Sequence, residues 1–184
     1  MKLEYNKTDV DGVWTYRPKT FFDSRGHFRE WFKRSTFKAY SGIDFAIEQS
    51  NLSVSKKDVL RGIHFSLATK GQAKWVTCVI GDVMDMVIDL RSSSPTFMKH
   101  VFVNLTGENG QAVYIPEGCG HAFLSNQDSS VVVYNLSSEY NPDMEFEINP
   151  LDPKLGINWP VNNPILSEKD RNAPNYDELT ENGL

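Results

Sequence analysis

The feature that most constrains how this chain can fold is its rhythm. Short runs of β-branched and aromatic residues recur along most of the sequence, each cut off by Gly, Pro, Asn, Asp or Ser. The runs occupy residues 46–51, 59–65, 73–79, 83–90, 100–105, 112–115, 122–124 and 131–136. Segments of that length and composition are strands, and a strand is stable only when neighbours pair its backbone groups. In one of them Met84, Met86, Ile88 and Leu90 share a face, the period-two signature of a strand with an apolar side. Residues 35–40 read as a helix, and a second short helix is expected after Ser167. Eight or more short strands at regular spacing specify an all-β antiparallel sandwich or barrel, with a jelly roll as the leading architecture.

A chain of 184 residues can bury a full core as one domain, and neither an internal repeat nor a linker divides it. We expect a single domain over 1–184, with a jelly-roll core over about 20–140 and an irregular tail over about 141–184. The tail is rich in Pro, Asn and Asp and is expected to wrap over the barrel. A net charge of −5 and a pI near 5.4 argue against a nucleic-acid partner. Cys78 and Cys119 follow no zinc or redox spacing and read as reduced thiols. The polar opening MKLEYNKTDVDG lacks a signal-peptide core, and no apolar run approaches the ~20 residues that span a bilayer. The expectation is a cytoplasmic protein with no membrane partner.

The chemistry is concentrated in Val59–Phe65 and Gly71–Cys78, where Arg61, His64 and Lys74 interrupt apolar strand sequence. Charged groups are costly on such surfaces unless a ligand uses them. Arg offers a planar fork suited to phosphate, and His a base that works near neutral pH. Residues three apart on a flat strand face opposite ways, so a shared pocket requires Gly62 to bend or bulge the strand. Taken alone, Arg61 and His64 read as a barrel-surface arginine and a satisfied core histidine, and Lys74 as a lysine snorkelling from a strand end. His121 opens a strand after the Pro116-Glu117-Gly118 turn. His27, His64, His100 and His121 are scattered singly, without the His-x-His clustering of metal-binding jelly rolls, so no metal is expected. Tyr134 is a strand residue whose hydroxyl becomes a proton donor if it points inward. Residues 167–171 form a charge cluster that alone would be a solvated turn.

The order and spacing of these motifs resemble the dTDP-4-dehydrorhamnose 3,5-epimerase family over most of the chain, from Asp23 to Pro174. The resemblance is carried by Asp23–Glu30, Gln49–Ser53, Val59–His64, Gly71–Cys78, Asp89–Arg91 and Ser94–Phe97. It continues through Ile115–Phe123, Leu155–Pro160 and Ile165–Asp170. It implies a cupin-like jelly roll with short peripheral helices, a homodimer, and epimerisation of a dTDP-4-keto-6-deoxyhexose without cofactor. By this resemblance His64 is the general base, Asp170 its orienting carboxylate, Lys74 the cation for an enolate oxygen and Tyr134 the opposing acid. Arg25, Glu30, Gln49, Asn51, Arg61, His121, Glu145 and Lys169 correspond to substrate contacts, and Tyr140 to an aromatic residue against the nucleotide base.

The sequence also departs from that pattern. Phe65-Ser66 stands where the rhamnose-pathway enzymes have Tyr-Gln, and Gly71–Cys78 is closer to relatives that epimerise C3 alone. The readings carried forward are therefore inversion at C3 and C5, inversion at C3 only, and a catalytically silent nucleotide-sugar binding module. A metal-dependent cupin dioxygenase and a 3,4-ketoisomerase are the remaining rivals.

Overall fold

The computed structural model describes residues 3–67 and 71–181. Two antiparallel sheets face each other as a jelly-roll barrel. The first contains β1 (Glu4–Lys7), β2 (Trp14–Arg17), β5 (Gln49–Ser55), β7 (Lys74–Ile80), β10 (Ala112–Ile115) and β12 (Ser130–Leu136), in the order β1-β2-β10-β7-β12-β5. The second contains β6 (Leu60–Ser66), β8 (Asp82–Asp89), β9 (His100–Thr106), β11 (Cys119–Ser125) and β13 (Glu145–Glu147), in the order β13-β6-β11-β8-β9. A separate hairpin, β3 (Thr20–Asp23) and β4 (Gly26–Arg29), stands beside them.

Three apolar layers hold this arrangement. Between the sheets lie Val76, Cys78, Val83, Val87, Leu105, Val113 and Val132. Outside the first sheet, Phe37 of α1 (Arg34–Ser41) packs with Phe45, Trp75 and Tyr114. Outside the second, Leu60, Ile63, Met86, Ile88 and Leu124 are covered by Ile148, Leu155, Trp159 and Leu166 of the tail. Covering both sheets outside as well as inside explains the near-continuous apolar runs of the central strands, since each face has a packing partner.

The tail that packs on the second sheet has more regular structure than its composition suggested. It includes β13, α2 (Glu168–Arg171) and α3 (Tyr176–Glu181). Ser167 caps α2 by accepting a hydrogen bond from the backbone N–H of Asp170. Among the described residues no helix is long and apolar enough to cross a membrane.

The strand expected at 46–51 lies instead at Gln49–Ser55, and its pattern is inverted. Leu52 and Val54 are exposed, while the polar Asn51 and Ser53 line the interior cavity. β1 to β4 and β13, each three or four residues long, were not among the strands read from the sequence. The Asp89–Arg91 and Ser94–Phe97 motifs form a knot that joins β8 to β9. Asp89, fully buried, accepts hydrogen bonds from Arg91, Ser94 and Thr96. Burial opposes its charge, but these donors hold the carboxyl well below the usual range.

Candidate active site

One end of the barrel opens into a cavity of about 230 Å3 between the sheets. Its walls include Asn51, Arg61, His64, Lys74, His121, Tyr134, Tyr140, Glu145 and Lys169. His64 and His121 come from β6 and β11 of one sheet, Lys74 and Tyr134 from β7 and β12 of the other. The imidazoles and the phenol therefore occupy opposing walls.

Gly62 brings Arg61 and His64 into the same cavity. His64 pairs with His121 and Arg61 with Phe123, so three steps on β6 match two on β11. That extra residue is the bulge the sequence required. Gly62 has φ +114°, and a Cβ there would lie 2.5 Å from the His121 carbonyl and 2.7 Å from the Ala122 Cβ. Only glycine fits both the conformation and the approach. Arg61 is braced by Ser55, which accepts from its Nε at 3.0 Å, and by the Val54 carbonyl at 3.2 Å.

His64 Nε2 lies 2.6 Å from Asp170 Oδ1. An ionised carboxylate only accepts, so Nε2 carries the proton and Nδ1 is left as the basic nitrogen. Ser167 Oγ donates to Asp170 Oδ2 at 2.8 Å, and the Gly62 N–H supports the same carboxylate. Burial pushes the Asp170 carboxyl up, but His64, Ser167 and Gly62 outweigh it and hold the group below its ordinary value. Lys169 pairs with Glu147 at 2.9 Å, a contact that raises its pKa and keeps it cationic at the rim.

Lys74 is buried on the opposite wall. Desolvation lowers its pKa, while Glu145 and Asp85 act to raise it. Two polar atoms of the cavity wall, Ser53 Oγ and Glu145 Oε1, are buried without a hydrogen-bond partner among the described residues. Buried polar atoms are rarely left so, and both sit where a polyhydroxylated ligand would satisfy them.

The remaining sequence candidates fall elsewhere. Gln49 stands just behind the wall. Its Nε2 donates to Asn51 Oδ1, and its Oε1 accepts from the Tyr140 backbone. Arg25 and Glu30 lie outside the cavity, on and just after the β3–β4 hairpin. Arg25 has an 87% exposed side chain paired with Asp23, and Phe21, Phe22 and Phe28 of the hairpin are also exposed. Arg29 fastens the hairpin base, donating to Thr20 Oγ1 at 2.9 Å and to the carbonyls of Gly107 and Glu108.

Sequence reading missed Ser53, Gln72, Phe123, Leu136 and Phe146 as lining residues, and Asp85 behind them. Asp85 carried a signal in hindsight: with Asp89 it is one of two acids in an apolar strand run. Phe65, by contrast, faces away from the cavity and stacks on Phe146 at 5.8 Å. Among the described residues no three His, Cys, Asp or Glu side chains gather as a metal-binding group.

Over nearly its whole length the chain is similar to known sugar epimerases. Residues 7–178 match the family model described as dTDP-4-dehydrorhamnose 3,5-epimerase. A protein of that name from Mycobacterium tuberculosis is 41% identical, with 99% of this chain and 92% of the relative covered. The crystal structure of NovW, a 4-keto-6-deoxy sugar epimerase from Streptomyces spheroides, superposes with a TM-score of 0.96 at 39% identity. That match covers 100% of this chain and 92% of NovW. ChmJ, a 3'-monoepimerase from Streptomyces bikiniensis crystallised with dTDP-quinovose, gives a TM-score of 0.91 at 42% identity, covering 96% and 90%.

Proposed function

The chain belongs to the dTDP-4-dehydrorhamnose 3,5-epimerase family, and from that premise we propose that it inverts C3 and C5 of a dTDP-4-keto-6-deoxyhexose through an enolate. It is an isomerase of the cupin-like fold. The observation that carries the mechanism is the opposition of His64, backed by Asp170, to Lys74 and Tyr134 across one cavity.

The C4 ketone acidifies the protons on C3 and C5. His64 Nδ1 takes one of them, and the C–H electron pair moves into the ring as the C4 carbonyl pair moves onto O4. The resulting oxyanion is stabilised by Lys74, whose charge is strong in a site cleared of water. Tyr134 then delivers a proton to the opposite face of the same carbon, and the carbonyl re-forms with inverted configuration. Asp170 holds the imidazole in the tautomer that leaves Nδ1 free and stabilises the imidazolium. Arg61 and Lys169 suit the diphosphate, Tyr140 suits the nucleobase, and Gln49, Asn51, His121 and Glu145 suit the sugar and its linkages. Because the ketone supplies the acidity, these steps draw on neither a metal nor a redox cofactor.

The whole chain acts as one epimerase domain in the cytoplasm, as a homodimer. The exposed phenylalanines of the hairpin favour a partner that covers them. In that dimer the hairpin carries Arg25, with Glu30 at its base, towards the other subunit's cavity. Phe22→Glu together with Phe28→Glu would then shift the protein to monomer in analytical ultracentrifugation. An unchanged sedimentation profile would remove the hairpin from the interface.

The second reading is inversion at C3 alone, favoured by the likeness to ChmJ. Proton NMR of dTDP-4-keto-6-deoxyglucose in D2O, with the product trapped by a reductase, separates the readings. Loss of both the C3 and C5 signals with an L-configured product is expected. Loss at C3 alone selects the second reading, and no exchange would leave a binding module.

A further inference from the structure

Behind the cavity floor, Asp85 on β8 is fully buried, and its Oδ2 lies 2.7 Å from His121 Nε2. Its other oxygen, Oδ1, has no hydrogen-bond partner among the described residues. Taking a carboxylate out of water costs several kcal/mol even after relaxation, and an apolar side chain would join β8 to β11 as well, because the backbone ladder there is already complete. The groups that face the same volume are His121 from β11, Lys74 from β7, Glu145 from β13, Tyr134 from β12, His64 and Arg61 from β6, and Lys169 from α2. Asp85 interacts electrostatically with Lys74 as well as with His121.

We infer that Asp85 is a positioning residue for the epimerisation proposed above: it fixes the orientation of His121 and places a carboxylate beside Lys74. It touches no substrate. With Nε2–H of His121 committed to Asp85, the other ring nitrogen has a set direction towards the cavity. The Asp85 carboxylate behind Lys74 opposes the burial that works to remove the lysine's proton. Glu145, on the cavity wall, acts on Lys74 in the same direction, so Asp85 adds to its charge from behind the floor.

The test is Asp85→Asn, which preserves shape and a hydrogen-bond acceptor for Nε2–H while removing the charge. In the D2O exchange assay, kcat should fall by about 10²-fold. KM and dTDP affinity should stay within about twofold, as for a group acting on the transition state alone. The alkaline limb of the pH–rate profile should move down by about one pH unit as Lys74 loses its counter-charge. An unmoved alkaline limb, or a wild-type kcat, would overturn the inference. A second measurement needs no variant at Asp85. In protein labelled with 15N-histidine, the signal that disappears in His121→Gln should show a protonated Nε2, and a proton on Nδ1 alone would overturn it. This arm also separates the two ideas: failure of wild-type enzyme to exchange protons would refute epimerisation, while a Nδ1–H His121 would refute Asp85.

Discussion

The molecule contains two His–Asp pairs side by side, His64 with Asp170 and His121 with Asp85, and the two histidines are direct cross-strand partners. Their chemistry is the same and their surroundings are not. His64 is 38% exposed at its side chain, and its carboxylate is fed by Ser167 and Gly62. His121 is 10% exposed, and its carboxylate has one oxygen without a hydrogen-bond partner. Asp170 is accordingly held below its ordinary pKa, whereas burial raises that of Asp85 against the pull of His121 and Lys74. Environment, not residue identity, makes one pair fit to move protons and the other fit to stay fixed.

The largest effect should come from the residue that supports both pairs. Gly62→Ala forces a Cβ into the His121 carbonyl and Ala122. It should cost about 3 kcal/mol of stability in urea melts. The folded fraction should lose at least about 10²-fold in exchange rate, because His64, His121 and Arg61 shift together. Lys74→Met removes the cation that both pairs face, and kcat for exchange should drop about 10²-fold while dTDP binding persists.

Asp170→Asn sharpens the contrast through pH. A carboxyl whose folded pKa is depressed stabilises the fold above its unfolded value and loses that contribution as pH falls through the folded one. The stability advantage of the wild type over Asp170→Asn should therefore be present at neutral pH and fade below about pH 4. Asp85 has the opposite sign, so Asp85→Asn should be nearly neutral or stabilising at pH 7 and lose that advantage on acidification. Denaturant titrations of both variants at pH 7 and pH 3 would show whether the signs differ. The smallest effect is expected for Ser167→Ala, which removes the cap of α2 and one donor to Asp170. About 1 kcal/mol should be lost in thermal melts, with only a modest fall in exchange rate.

The sequence made the first pair legible and hid the second. His64 and Lys74 stand out as charges in apolar strands, and their motif carried Asp170 with it from the far end of the chain. The bulge at Gly62 could be anticipated because the pocket demanded it. Asp85 left a weaker trace, an acid on the side of the Met84–Leu90 run opposite its apolar face, and that apolar face packs outward against the tail. At β5 the polar side chains, not the apolar ones, face the interior. Asn51 and Ser53 point in while Leu52 and Val54 point out, which displaced the predicted strand. Phe65, one of the departures from the rhamnose-pathway pattern, lies behind the sheet and does not line the cavity. Local pattern reports which residues are unusual, but only the assembled sheets decide which side of a strand is the inside.

The most direct test of this division of labour is to compare His64→Asn and His121→Asn in one experiment, measuring solvent deuterium incorporation into the sugar alongside dTDP affinity. We predict that His64→Asn loses about 10³-fold or more in exchange with dTDP affinity retained, whereas His121→Asn slows exchange without abolishing it. Equal losses in the two variants, or wild-type exchange in His64→Asn, would contradict the assignment of His64 as the base.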